Sequence, residues 1–163
     1  MPDRPRFRHE KPSEAARVAV GSRLLVGGGS AVLSLLGRVG YRRALHTAER
    51  LWARAATGLL DLEIDVAGLR HVDPAEGYVV VSLHEGFADA LALLRLPLDL
   101  RFVARDELFA WPALGRYLQA TGQVMVDERA GMASLRRLYR DIGAVFAVGD
   151  SLVVFPQGSI LGV

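Results

Sequence analysis

The sequence predicts an α/β fold, a largely parallel central sheet flanked by helices and preceded by N-terminal amphipathic and apolar helices. Three features point to it. From residue 61 onward, short apolar or alternating runs take turns with longer segments of helical period. One run, Tyr78–Leu83, is apolar almost throughout, as expected of a parallel-sheet strand covered on both faces. The intervening helical segments are long enough to serve as the crossovers that parallel strands require.

The elements follow in order. Residues 1–12 are polar and proline-bearing, and Ser13 is placed to cap a first helix that runs into the Gly27-Gly28-Gly29 break. Uncharged sequence extends from Leu24 to Gly37, shorter than the roughly 20 residues of a bilayer-spanning helix. Two readings compete for it: an interfacial or hairpin-like membrane contact, and a buried core helix. A second helical pattern starts at Tyr41. It groups Tyr41, Leu45, Trp52, Ala55, Ala56 and Leu59 on one face, with Arg42, Arg43, Glu49, Arg50 and Arg54 largely elsewhere, toward headgroups or water.

Then the period changes to two. Leu62, Ile64 and Val66 alternate with Asp61, Glu63 and Asp65, which predicts a half-exposed strand over Asp61–Val66. His71-Val72-Asp73-Pro74 reads as a turn. Tyr78–Leu83 is the next strand, followed by a short loop and an apolar helix from about Asp89 to near Pro97. Arg101–Ala104 is a strand. Glu107–Ala120 is helical, with Pro112 forcing a break. Gln123–Val126 is a strand. Met132–Val148 is an amphipathic helix with Leu135, Leu138, Ile142, Val145 and Phe146 inward and Gly149 as its stop. Ser151–Phe155 is the last strand.

Composition narrows the chemistry. The chain has 163 residues and no cysteine, which excludes disulfides, thiolate metal sites and cysteine nucleophiles. Its net charge of +2 is unevenly spread. Residues 1–60 hold 11 Lys+Arg against 4 Asp+Glu (+7), and residues 61–163 hold 9 against 14 (−5). A basic arm on a mildly acidic body suits an anionic membrane surface, or is simply a solvated tail. Nucleic acid is not expected, because the few aromatics are not interleaved with the arginines and no groove-reading motif occurs. The expected organisation is a basic arm with membrane-associating helices over 1–60 and an α/β domain over 61–163.

In a parallel sheet, ligand sites lie at the carboxyl ends of the strands. Four polar clusters fall there: His84-Glu85-Gly86-Phe87-Ala88-Asp89, Arg105-Asp106-Glu107, Asp127-Glu128-Arg129 and Pro156-Gln157-Gly158-Ser159. His84 and Asp89 form the sharpest pair. Gly86 lets the loop turn the carboxylate onto the imidazole, where it would fix the tautomer and leave the other nitrogen as a general base. With no serine or cysteine placed as a nucleophile, such a base would act on a substrate hydroxyl. On spacing alone, a loop histidine beside a helix-capping Asp89 is the favoured reading. Arg105 and Arg129 fit a phosphate, or ion pairs with Glu107, Asp106 or Asp127. No metal-ligand pattern and no cofactor motif is found.

The same clusters resemble, in order, the motifs of the glycerol-phosphate and lysophospholipid acyltransferase superfamily. His84-x4-Asp89 is similar to its first motif. Arg105-x-Glu107-Leu108 with Pro112 and Gly115 resembles its Lys-x-Glu-Leu…Pro…Gly block. Gly122-Gln-Val-Met-Val-Asp127-Glu-Arg129 resembles its Gly…apolar…Asp-Arg segment, and Phe155-Pro156-Gln157-Gly158-Ser159 its Phe-Pro-Glu-Gly-Thr block. The resemblance covers residues 78–160. It implies an acyltransferase on the cytoplasmic face of a membrane, moving a fatty acyl group from acyl-CoA or acyl-carrier protein to a hydroxyl of a lysophospholipid, a glycerol phosphate or a related lipid. It implies no cofactor beyond the acyl donor. His84 would be the base and Asp89 its orienter. Arg105, Glu107, Arg129, Gln157, Gly158 and Ser159 would bind substrate, with backbone N–H groups around Gly158 at the oxyanion.

Departures from that pattern bear on the acceptor. Arg105 stands for the usual lysine and Gln157 for the usual glutamate. Ile160 stands where the family carries an arginine that holds the acceptor's phosphate. An acceptor without phosphate at that point, such as a glycolipid or a lyso-amino lipid, becomes an alternative. The family usually continues beyond its fourth block, so the α/β domain is expected to be incomplete at its C-terminus. A non-catalytic lipid-binding remnant and a His-Asp acyl hydrolase are the competing functional expectations.

Overall fold

The computed structural model describes residues 28–84, 86–127, 129 and 131–157. The expected Ser13 cap lies outside these residues, as do Glu85, Glu128, Gly158, Ser159 and Ile160.

Two helices lead. α1, Ser30–Val39, ends at Gly40, whose left-handed φ of 76° lets its N–H close back on the Gly37 carbonyl. α2 is Arg42–Leu59. A 3-10 turn at Leu69–His71 leads to β1, Val79–Val81. Then come α3 (Phe87–Leu93), β2 (Leu100–Arg105), the single turn α4 (Asp106–Phe109), α5 (Leu114–Ala120), β3 (Val124–Val126), α6 (Gly131–Ala147) and β4 (Ser151–Val154). The break between α4 and α5 falls at Pro112, and Gly149 takes the left-handed φ of 80° that stops α6. No described helix is long and apolar enough to cross a membrane.

The four strands form one sheet in the order β1-β4-β2-β3, every pair parallel. Val80 pairs with Val153, Phe102 with Val153 on the other side, and Val103 with Val124. The connection from β1 to β2 and that from β3 to β4 run in opposite directions along the sheet. Crossovers of one hand then deliver their helices to opposite faces, and the packing agrees. Leu93 of α3 joins Leu98, Leu100, Val80 and Val153 on one face, while Leu138, Ile142 and Val145 of α6 pack on Val124, Leu152 and Val154 on the other. A third cluster, Leu33, Leu45, Tyr117 and Leu118, ties α1 and α2 to α5. Glycine permits the closest approaches there. A Cβ on Gly37 would lie 2.2 Å from the Ala120 carbonyl oxygen, and one on Gly115 2.0 Å from that of Phe109.

Three expectations about the strands and α6 need correction. Asp61–Val66 is not a strand: no strand is assigned there, Leu62 and Val66 are exposed, and Ile64 is half-buried. Alternation decides which side chains share a face, but a strand needs a hydrogen-bonding neighbour and the pattern names none. β1 is an edge strand among the described residues, not a strand covered on both faces. Val80 points into the core, while Val79, Val81 and Leu83 are 57%, 64% and 67% exposed. In α6, Leu138, Ile142 and Val145 are inward as expected, but Leu135 and Phe146 are exposed because the helix lies over β3 and β4 rather than β1.

The opposite, N-terminal edge of the sheet is held by buried charge. α2 turns His46, Glu49, Ala53 and Ala56 inward at helical spacing. The expectation that Glu49 and the arginines of α2 face headgroups or water therefore fails for Glu49, which is 1% exposed. Arg101 at the start of β2 reaches Asp150 Oδ2 (3.1 Å) and Glu49 Oε2 (3.5 Å), and Tyr117 donates its hydroxyl to Glu49 Oε1 at 2.8 Å. Arg42 is paired with Asp150 and Arg50 with Asp99 (2.9 Å). Burial works against a charged His46 ring, but hydrogen bonding to Asp150 and Glu49 outweighs it and raises the pKa above 6.5. Burial likewise opposes ionised Asp150, yet His46 and Arg101 hold its carboxyl below the usual range. Tyr117 is pushed well above the ordinary phenol value by burial and the Glu49 charge.

Candidate active site

The parallel sheet sends every strand's carboxyl end to the same edge, so the described members of the four polar clusters stand in a row. His84 follows β1, Pro156 and Gln157 follow β4, Arg105 ends β2, and Arg129 follows β3. With neighbouring strands about 4.8 Å apart, the row is roughly 14 Å wide from β1 to β3.

His84 and Asp89 meet as the spacing suggested. His84 Nδ1 lies 3.1 Å from Asp89 Oδ2. The same oxygen accepts the Gly86 backbone N–H at 2.9 Å, so the carboxylate also caps α3 from its first turn. The two sequence readings of Asp89 are thus one arrangement: the cap fixes the carboxylate, and the carboxylate fixes the ring. With Nδ1–H donated to Asp89, Nε2 carries the free lone pair. The pair is half-buried, at 23% and 30% side-chain exposure, sheltered yet reachable.

The opposite wall of the imidazole was not singled out by the sequence. Phe155 stacks on His84 with ring centroids 4.1 Å apart and planes inclined by 21°. The signal was present in the strand register. Val81 pairs with Val154, and the Ser82 N–H continues the ladder to the Val154 carbonyl at 3.2 Å, bringing the two strand ends side by side.

Arg105 and Arg129 converge on Glu107. Arg105 Nη2 lies 3.1 Å and Arg129 Nη2 3.3 Å from the same oxygen, Oε1. Ion pairing and convergence at the site therefore coexist. Arg129 is fixed at its backbone, where its N–H meets Asp127 Oδ1 at 2.8 Å, while its side chain stays 84% exposed. An open recess of about 340 Å³ adjoins β1 and β4, lined by Val81, Ser82, Leu83, Pro156 and Gln157. The Gln157 Oε1 atom is buried without a hydrogen-bond partner among the described residues. Gly158 and Ser159 lie outside the described residues.

One group resembles a metal site in composition. His46, Asp99 and Asp150 each offer a ligand atom within 4.8 Å of the others, at the far edge of the sheet. Arg101 already brings a cation there, with Nη2 3.2 Å from His46 Nε2 and Nε 3.1 Å from Asp150.

A sequence model of the family described as Acyltransferase matches residues 63–162, spanning every cluster at the site. The chain belongs to the acyltransferase family. Among relatives of this acyltransferase chain, a 1-acyl-sn-glycerol-3-phosphate acyltransferase of Chlamydomonas reinhardtii is 32% identical over 73% of the chain and 36% of its own length. A lyso-ornithine lipid O-acyltransferase of Rhodobacter capsulatus is 29% identical over 97% of the chain and 57% of its own length. The crystal structure of the 1-acyl-sn-glycerophosphate acyltransferase of Thermotoga maritima matches with a TM-score of 0.71 at 18% identity, over 91% of this chain and 61% of that one, which shows the shared fold. The chain thus spans between about a third and three-fifths of the length of these relatives.

Proposed function

We propose that this chain carries the catalytic centre of an acyltransferase that moves a fatty acyl group from the thioester of acyl-CoA or acyl-carrier protein to a lyso-lipid or glycerol-phosphate hydroxyl. The observation that carries the reading is the His84–Asp89 bond at the carboxyl edge of the sheet. Asp89 holds Nδ1–H, so Nε2 takes the proton of the acceptor hydroxyl. The alkoxide oxygen attacks the thioester carbonyl carbon and a new C–O bond forms. The C–S bond breaks, and the leaving thiolate takes the proton back from Nε2–H. The ester and a free thiol are the products. Arg105 and Arg129, gathered by Glu107, supply guanidinium donors for an anionic headgroup. The recess beside Val81, Leu83 and Pro156 offers an apolar wall to the acyl chain.

The acceptor has a second reading. Ile160 replaces an arginine of the family pattern, and a lyso-ornithine lipid acyltransferase is among the relatives. Both favour a lyso-amino lipid without phosphate. Membrane contact is proposed through α1, which exposes Val32, Leu35 and Val39 beside Arg38, a combination suited to an anionic surface on the cytoplasmic face.

Acyl transfer from labelled acyl-CoA and acyl-carrier protein to phosphate-bearing and phosphate-free lyso-lipids tests the reaction. Transfer should fall about 10²–10⁴-fold in His84→Ala. Acyl release without an acceptor would make the chain a hydrolase. Folded protein with no transfer above the His84→Ala background would make it a non-catalytic lipid-binding remnant.

A further inference from the structure

We infer that Phe155 is a positioning residue for the His84 base, gripping the imidazole from its face while Asp89 grips it from its edge. A single hydrogen bond leaves a ring free to swing about the bond axis. Asp89 meets His84 at one nitrogen, Nδ1, at 3.1 Å. Rotation of the ring about that contact would carry Nε2 away from the acceptor hydroxyl while keeping the bond. Phe155 blocks this motion, because its ring lies 4.1 Å from the imidazole and nearly parallel to it, at 21°.

Phe155 is itself held. It packs with the cluster of Leu98, Leu100 and Val153, whose members are at most 7% exposed. Phe102 of β2 lies behind it with ring centroids 6.4 Å apart and planes at 22°. A stack of three rings thus runs from the interior of the sheet to the catalytic nitrogen. The ladder fixes its register: Val81 pairs with Val154, Ser82 continues the pairing, and the residue that follows β4 is Phe155. The stack acts in the reaction as well as before it. When Nε2 takes the proton, the imidazolium lies against the electron-rich face of Phe155, which favours the charged ring.

This inference rests on His84 being the base, and two readouts separate the two claims. The first is nuclear magnetic resonance of the unmutated chain with labelled histidine. Overhauser contacts between His84 and Phe155 ring protons are expected, with His84 ring lines moved upfield by the stacked ring. Their absence would overturn the stack whatever the activity proves to be. The second is acyl transfer by His84→Ala, Phe155→Leu and Phe155→Tyr. If His84 is the base, Phe155→Leu lowers kcat by up to about 10²-fold with KM unchanged, the scale of a misplaced catalytic group. Phe155→Tyr, which keeps the ring, restores the rate and the upfield lines. Full activity in His84→Ala would refute the base. A large loss in His84→Ala with unchanged kcat in Phe155→Leu would refute the positioning role alone. If Phe155→Leu does not fold, the Tyr variant decides, since failure to retain both rate and ring shift defeats the proposal.

Discussion

Replacing Arg101 with methionine removes the cation from the N-terminal edge of the sheet while keeping an unbranched apolar stem. The guanidinium reaches Asp150 at 3.1 Å and Glu49 at 3.5 Å, and these carboxylates are each 1% exposed. Tyr117 and His46 still serve Glu49, and Arg42 still serves Asp150, so neither carboxylate is abandoned. Breaking a buried pair by removing one partner nonetheless costs about 3–5 kcal/mol, because water cannot reach the charge left behind. That is a large share of a domain's total of roughly 5–15 kcal/mol. In urea denaturation, with a slope near 2 kcal/mol per M, the midpoint should fall by roughly 2 M. Adding Asp150→Asn to Arg101→Met should cost less than the sum of the two single changes, since the interaction between the pair is lost only once. A loss below about 1 kcal/mol, the scale of exposed ion pairs, together with additive behaviour would refute the view that this network holds the strand ends.

Stability should also depend on pH through His46, and on the alkaline side. Its folded pKa is raised above 6.5, so its contribution is complete below that value and fades as pH climbs through the folded pKa. Urea midpoints should therefore decline as pH rises above about 6.5, and His46→Gln should flatten that decline; an unchanged slope would rule the ring out as its source. Gly115→Ala sets a Cβ against the Phe109 carbonyl 2.0 Å away, so α4 and α5 must separate. Overpacking of this kind costs about 1–3 kcal/mol, and a melting temperature equal to the parent's would show that the turn yields freely.

The order of helices and strands from residue 78 onward was legible because each element keeps one period throughout and the breaks fall at Pro112 and Gly149. The His84–Asp89 contact was legible too, since the two residues flank Gly86, His84 in the loop before it and Asp89 in the first turn of α3. What the sequence hid were relations between distant segments. The pattern in β1 cannot tell a central strand from an edge, because that depends on β4 lying on one side of it. The alternation in Asp61–Val66 names a face but no partner. The face of α2 was misread for a related reason. His46 and Glu49 follow the buried helical period, yet polarity alone places them outside until Arg101 and Asp150, more than 50 and 100 residues later, are known to face them. Phe155 opens the fourth motif in the sequence, but its place against the His84 ring follows only from the register of β1 and β4.

β2 opens with Arg101 in the buried network and closes with Arg105 at the site, four residues on. At about 3.3 Å per residue the two positions lie roughly 13 Å apart along the strand. The strand therefore sets the buried network and the arginine of the site at opposite edges of the sheet. Arg105 contacts Glu107 and none of the carboxylates that Arg101 pairs with. Under the proposed function, the headgroup such a chain accepts is read at one end of the strand and the sheet is held by ions at the other.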